Sequence, residues 1–387
     1  MDLTLCRRAL AGAACILLLL LAGAPVGRAA TIGSDAIHRK AQGEPIRGVI
    51  TAETIDGVQF GEKMSIPSVA ISQVDYYDTP EAFRRGHDRR QQGIFAEAIK
   101  YYETAAKTPN VRKFWIEPAC LYYAGLCHLD EGVDMAAAVA KFQELLQGYP
   151  NSRYVPDTLL GLGRAHYTAR KWEAALAQFK KLAELAAGKT AWEEWLGTAY
   201  LWQAKTYLDA NKPVEAMANA KKVKDVVQDP KHDIVVQARA VEAKVMLEQD
   251  KPKEAVDMLR ALIKDLAPRV AEEIDRSDAA ARLQRTEAQC YNALGQAYLK
   301  LYAKSKKEED LRESLLAFLW TVVLYPRSQF ALEHAEALFH AAQCFEKLKQ
   351  KARATELLNE LSEKYPDSPY NTRTPGTTKA GAPKKGE

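Results

Sequence analysis

The stretch "LLGLGRAHYTARKWEAALAQF", Leu159 to Phe179, holds the pattern from which the rest of the chain can be divided. Apolar residues recur at three- and four-residue intervals on both sides of a short polar break, so two amphipathic helices joined by a turn are predicted. Leu162-Gly163 in the first helix is answered by Ala175 and Phe179 in the second. A small residue is needed where the two helices cross, because only a small side chain permits close backbone approach, and an aromatic ring such as Phe179 fills the groove between them. Related spacings hold elsewhere: Gly86 with Ala98, Tyr102 and Ala105; Gly125 with Ala138, Phe142 and Pro150; Ala204 with Tyr207 and Ala216. Further along come Ala243 with Ala255 and Leu259, then Gly295 with Tyr298 and "SLLAFLWTVVLYP", then Ala342 with Phe345, Ala354 and Leu358. The small residues fall at 86, 125, 163, 204, 243, 295 and 342, with gaps of 39, 38, 41, 39, 52 and 47. One such pair cannot bury its apolar stripe alone, so neighbours are expected to stack.

These spacings resemble the tetratricopeptide repeat (TPR) superfamily over residues 79–370, although Trp is absent from the first consensus position throughout. The resemblance implies a mainly α fold, a right-handed solenoid of about seven helix pairs with a concave groove. The long intervals are also similar to exported bacterial TPR proteins of the cell envelope, of the outer-membrane-assembly and Tol–Pal-associated coordinator types. The lipid-accepting Cys of the assembly lipoproteins is missing after the leader.

A second phrase punctuates the array. "YPNSRY" at Tyr149–Tyr154 returns as "YPRSQF" at Tyr325–Phe330 and "YPDSPY" at Tyr365–Tyr370. Pro150 and Pro326 end a helix, since proline cannot continue it. Ser152 and Ser328 stand where an N-cap is wanted. Tyr149 and Tyr325 are expected to pack back on their own unit, and Tyr154 and Phe330 to staple the next helix. After the third copy no helical pattern follows, so the face of the last helix around Leu357 and Leu361 is expected to be uncovered, a surface for docking or self-association.

The ends read differently. Residues 1–29 combine Arg7-Arg8, the apolar run Ala9–Ala24 and small residues before Ala29, the layout of a cleaved secretory signal. The exported chain would be periplasmic, with extracellular or signal-anchored forms as alternatives. Of the formal +4 charge, three Arg against one Asp in that leader account for +2, so the remainder keeps +2 and no nucleic-acid partner is implied. Residues 30–43 read as a linker. Residues 44–78, rich in Val, Ile and Tyr and broken by Gly48, Asp56-Gly57 and Pro67, read as a small β module that resembles SH3- or Sm-like modules. Residues 371–387 read as a disordered basic tail.

No catalytic motif stands out, and no cofactor or metal is implied. His87, His128 and His166 fall near one position in successive units; the last two take the slot where the repeat usually has Tyr, which points to aromatic packing. Trp192, Trp195 and Trp202 cluster at the start of the fourth unit as packing residues, with one ring able to anchor a partner. Cys120, Cys127, Cys290 and Cys344 read as buried thiols, with a Cys290–Cys344 pair left open. The residue after each small one should face the concave groove: His87, Leu126, Arg164, Lys205, Lys244, Gln296 and Gln343. Three cations followed by two amides would receive an acidic segment of a partner, although the Lys/Asn carboxylate clamp of chaperone-tail-binding TPR proteins is not reproduced. The expectation is an exported, non-catalytic scaffold for other envelope proteins; the alternative is a groove-type receptor for acidic peptides or cell-wall fragments.

Overall fold

A computed structural model describes residues 34–40, 43–61, 64–132, 134–272, 278–325 and 330–371. The leader 1–29, the residues Pro326 and Ser328, and the tail beyond 371 lie outside the described residues. Two three-stranded antiparallel sheets come first: β1 Asp35–Arg39, β2 Ile46–Gly48, β3 Ile50–Glu53, β4 Gly57–Phe60, β5 Met64–Pro67 and β6 Ile71–Asp75. Their orders are β2-β1-β6 and β3-β4-β5. Only Val49 separates β2 from β3, so one bent run feeds both sheets. The stretch 30–43, read above as a linker, contains β1, the central strand of the first sheet. It escaped the pattern because only Ile37 of its inward residues is a large apolar one; Asp35, on the same face, is fully buried and satisfied by polar partners.

Fourteen α-helices follow among the described residues. They are α1 Glu81–Gln91, α2 Phe95–Ala106, α3 Lys113–Glu131, α4 Met135–Gly148, α5 Val155–Thr168, α6 Trp172–Ala186 and α7 Glu193–Asp209. The second half holds α8 Pro213–Val226, α9 Asp233–Glu248, α10 Pro252–Glu272, α11 Asp278–Ser305, α12 Glu308–Leu324, α13 Ala331–Lys347 and α14 Lys351–Lys364. Each odd-numbered helix packs on the even one that follows, giving the seven expected pairs in a solenoid.

Within a pair the contact is set by the glycine under the ring. A Cβ placed on Gly163 would lie 2.3 Å from the Phe179 ring, and Gly86, Gly125 and Gly295 meet Tyr102, Phe142 and Phe318 in the same way. Where the small residue is Ala instead (204, 243 and 342), the residue sixteen positions on is Ala220, Leu259 or Leu358, never a ring. The turn inside every pair contains one residue with positive φ: Gly93, Gly132, Arg170, Asn211, Asp250, Lys306 and Lys349. In five of these pairs the bond from Lys171 N to His166 O (2.9 Å) or its direct counterpart at Ile94, Lys212, Lys251 or Gln350 closes the left-handed helix end of a Schellman motif.

The YPxSxY phrase has one geometry wherever it is described. Tyr149, Tyr325 and Tyr365 each end a helix with nearly the same backbone (φ −134, −126 and −134°, ψ 58, 52 and 57°), and each donates its N–H to the carbonyl four residues back. Their rings return to the first helix of their own pair: the Tyr149 hydroxyl donates to Glu117, Tyr325 donates to Glu287, and Tyr365 packs edge-on to His334 at 5.5 Å. Tyr154 stacks on Tyr122 of α3 at 5.2 Å and is buried. The serine differs from expectation. Ser152 Oγ accepts from Tyr154 N at 3.3 Å, and Ser368 Oγ accepts from Tyr370 N at 3.3 Å. Because α5 begins only at Val155, this hydroxyl closes the turn before the helix rather than capping the helix itself.

The C-terminal face also differs. Leu361 is fully buried against Ala335, Leu338 and Phe339 of α13, and Leu357 packs among the same neighbours. The third phrase folds back over this helix, with Tyr370 at 5.8 Å from Phe339 and Ser362 Oγ donating to Asn371 Oδ1 at 2.9 Å. The apolar stripe of α14 faces its own pair, and the outward side (Lys351, Arg353, Glu356, Asn359, Glu363) is exposed and charged or polar. Leu357 and Leu361 are therefore core residues of a polar terminal cap, as an end repeat requires, and not a docking face.

The β-rich region is fastened to the loops between pairs. Arg112, at the entry to α3, gives Asp35 two hydrogen bonds (2.9 and 2.6 Å) and reaches both oxygens of Asp78 (3.0 and 2.7 Å). It also donates to the Ile50 carbonyl at 2.8 Å. Arg153, inside the first YPxSxY phrase, meets Glu53 at 3.1 Å, while Asn151 O accepts from Ile55 N at 2.7 Å. Lys189–Asp56 and Lys40–Glu194, both 3.2 Å, carry the contact to the start of α7.

Two substitutions test these contacts. Gly163→Ala alone should destabilise the protein by about 1–3 kcal/mol through overpacking, and Gly163→Ala combined with Phe179→Leu should recover most of that loss in urea melts, because it reproduces the Ala/Leu pairing of the fifth and seventh pairs. Additive losses would contradict the ring-over-glycine account. Arg112→Met leaves the buried Asp35 carboxylate without its cation, a change worth about 3–5 kcal/mol. Hydrogen-exchange mass spectrometry should then show β1 and β6 opening well before α5–α14.

Candidate functional site

The residue after each small one lies about 100° further round its helix, away from the partner helix and towards the inner face. In α5 that residue is Arg164. Its Cζ lies 5.7 Å from the centre of the Trp202 ring on α7, and Lys205 Nζ lies 4.8 Å from the same ring. Trp202 is held by its own neighbours, stacking on Phe179 at 5.7 Å and meeting Tyr167 edge-on at 5.5 Å. Lys205 Nζ donates to Gln237 Oε1 of α9 at 2.8 Å. Lys244, also on α9, and Arg285, on α11, add their charges to this region, since both act on Lys205. Arg164, Lys205 and Lys244 are all half-buried.

The carboxylates nearby are occupied. Asp130 is bound by Arg90 at 2.7 Å, Asp209 accepts the Tyr167 hydroxyl, and Glu333 lies 3.7 Å from Arg285. Among the described residues neither Arg164 nor Lys244 has a carboxylate within ion-pair distance. The electrostatic result is a depressed lysine: burial, and then the charges of Lys244, Arg164 and Arg285, pull Lys205 from its ordinary value to about 7. Burial likewise lowers Arg164, with Asp130 acting in the opposite sense. An arginine still keeps its proton, so Lys205 is the group that can yield one.

The stripe does not continue as expected at either end. Gln296 Nε2 donates to Glu336 Oε1 at 2.6 Å, and Asn292 Nδ2 donates to Glu336 Oε2 at 3.0 Å. Gln343 Oε1 lies 3.2 Å from His340 Nδ1. The two amides therefore serve partners on α13 and stand where the groove becomes acidic. At the other end, His87 is enclosed by Phe83, Tyr102 and Tyr123, its Nδ1 2.6 Å from the Tyr102 hydroxyl. Burial, followed by the Arg90 charge, lowers His87 to about 4, which keeps it a neutral packing ring. Leu126 packs in the core of the second pair. Trp202, Gln237, Arg285 and Glu336 complete the site without having been assigned to it from sequence. The i, i+3/i+4 series Arg285, Gln289, Asn292, Gln296 was available as a clue to one helix face.

Cys120, Cys127, Cys290 and Cys344 are buried free thiols, so the Cys290–Cys344 pairing left open above is not made. Among the described residues no three His, Cys, Asp or Glu side chains gather as a metal ion would require. No helix there is long and apolar enough to cross a membrane.

Tetratricopeptide repeat models match residues 83–153 and 336–368. The stacked helix pairs form a solenoid like that of tetratricopeptide repeat proteins. A tetratricopeptide repeat protein from Parabacteroides merdae superposes with a TM-score of 0.52 at 13% identity, covering 73% of this chain and 91% of that one. The apo quorum sensor NprR from B. thuringiensis gives 0.54 at 14%, covering 73% and 74%. Apo RapI gives 0.51 at 12%, covering 73% and 97%. At these identities the likeness is one of fold. No curated protein matches the chain.

Proposed function

We propose that this chain is an exported, non-catalytic scaffold that captures an acidic segment of another cell-envelope protein in the groove of its third to fifth repeats. The observation that carries the proposal is the cation excess around Trp202: among the described residues Arg164 and Lys244 have no carboxylate within ion-pair distance, and burial, followed by the charges of its neighbours, depresses Lys205. An anionic segment laid along α5, α7 and α9 would supply the missing charge, and the Trp202 face would give its backbone or an adjacent ring a flat platform. The YPxSxY phrases support the likeness to envelope-type TPR proteins, and the leader-like residues 1–29 support export, with the periplasm as the compartment. The small β-rich region, which binds the loops of the first four repeats, stiffens that half of the array.

A receptor for a free acidic peptide or a cell-wall fragment is the second reading. It is favoured by how short the cationic stretch is, since three helices accommodate only a few residues of an extended ligand before Glu336 and its amides are reached.

Crosslinking in the native cell followed by mass spectrometry tests the scaffold. Arg164→Glu, Lys205→Glu and Lys244→Glu together should abolish the principal crosslinks, whereas Lys180→Glu, Lys181→Glu and Lys253→Glu on exposed sites of α6 and α10 should leave them. Unchanged crosslinks in the groove variant would overturn the proposal. A melting shift with acidic peptides or muropeptides, in the absence of any lost protein crosslink, would select the receptor instead.

A further inference from the structure

The groove cations carry an implication beyond the class of partner. Lys205 on α7 donates to Gln237 of α9 and feels the charges of Arg164 from α5, Lys244 from α9, Arg285 from α11 and Asp209 from its own helix. Of these, Asp209 is the one carboxylate that acts in its favour, and it already accepts a hydrogen bond from Tyr167. Like charges in a half-buried site repel strongly, because the low dielectric screens them poorly. Two events relieve that repulsion: loss of a proton or arrival of an anion. Arginine does not lose its proton in proteins, and a buried lysine does so readily. The two events therefore compete at Lys205.

We infer that the groove surface around Arg164, Trp202, Lys205 and Lys244 seats a side-chain carboxylate of an acidic peptide segment, and that its capture is coupled to uptake of one proton by Lys205. The inference rests on the groove reading above. The proton comes from bulk solvent and converts the neutral amine to the ammonium form, which then pairs with the carboxylate; no covalent bond changes. In the free protein Lys205 is charged below about pH 7 and neutral above it. The bound carboxylate raises its pKa again, so the bound state holds more protons above pH 7. Affinity is then constant below pH 7 and falls as pH rises, with a limiting slope of about tenfold per pH unit for one coupled proton. A ligand carboxylate stays ionised over this whole range, since its own pKa is near 4.

A rhodamine-labelled hexaglutamate peptide is a suitable probe, titrated by fluorescence anisotropy from pH 6 to pH 9 on the full chain. Calorimetry at pH 8 in Hepes and in Tris, whose ionisation enthalpies differ, counts the protons taken up. The wild type should weaken by up to about tenfold per unit above pH 7 and take up close to one proton at pH 8. Lys205→Arg should match the wild type at pH 6 and lose the pH dependence, because the guanidinium stays charged. Lys205→Met should bind at pH 6 about as weakly as the wild type does at pH 9. A wild-type affinity that does not change with pH, with equal heats in the two buffers, would overturn the coupling and leave the groove reading standing. No saturable binding at any pH would overturn both. Inorganic phosphate that displaces the peptide at equal concentration, with the same proton uptake, would show a general anion site and overturn the assignment to a peptide carboxylate.

Discussion

The close approach of a small residue on one helix to a ring or alkyl group on the next is the constraint on which the array depends. At Gly163 there is no room for a Cβ beneath Phe179, so the identities of two residues sixteen apart are tied together. Where Ala replaces Gly, the space above it shrinks and the ring gives way to Ala220, Leu259 or Leu358. That lock sets how near the two helices lie, and it also sets their rotation. With Gly163 turned to its partner, Arg164 must turn to the groove; with Ala204 and Ala243 turned likewise, Lys205 and Lys244 must follow. The binding surface is thus laid out by the same contact that builds the core.

This is why the fold could be read so fully from sequence and the site only in part. The lock recurs in every pair, and it persists between Gly295 and Phe318 although the charged segment before α12 lengthens the interval. The turns inside the pairs were less visible, because five of the seven left-handed positions are Arg, Asn, Asp or Lys rather than Gly. There the helix-end hydrogen bonds impose a conformation that the side chain alone would not choose. β1 was hidden by the inward Asp35, whose partner Arg112 lies 77 residues away. Leu361 was misassigned for a related reason: the phrase after it lacks a helix pattern, yet Tyr370 and Asn371 still fold back to cover the end of the array.

In the groove, the register located the three cations but not their surroundings. Gln296 and Gln343 obey the same register, but their surroundings come from α13, whose Glu336 binds two amides at once. Such a partner cannot be inferred from the periodicity of a single helix. Trp202 was noticed as part of a tryptophan cluster. Its place between Arg164 and Lys205 follows from the stacking of α5, α6 and α7 and becomes evident only in three dimensions.

The chain's treatment of its other buried cations gives the groove its meaning. Arg112 receives two aspartates, and Arg153 receives Glu53 and the Tyr154 hydroxyl. Both lie where the β-rich region joins the array, and pairing there offsets the cost of taking a charge out of water. Arg164, Lys205 and Lys244 are half-buried on three successive inner helices, and among the described residues no carboxylate lies within ion-pair distance of Arg164 or Lys244. Gln237 stands 2.8 Å from Lys205, and the isosteric glutamate there would pair with that lysine. A sequence that solves this problem fully in one place and leaves it open in another breaks its own rule where stability alone would not, and such breaks are expected at sites that must remain ready for a ligand.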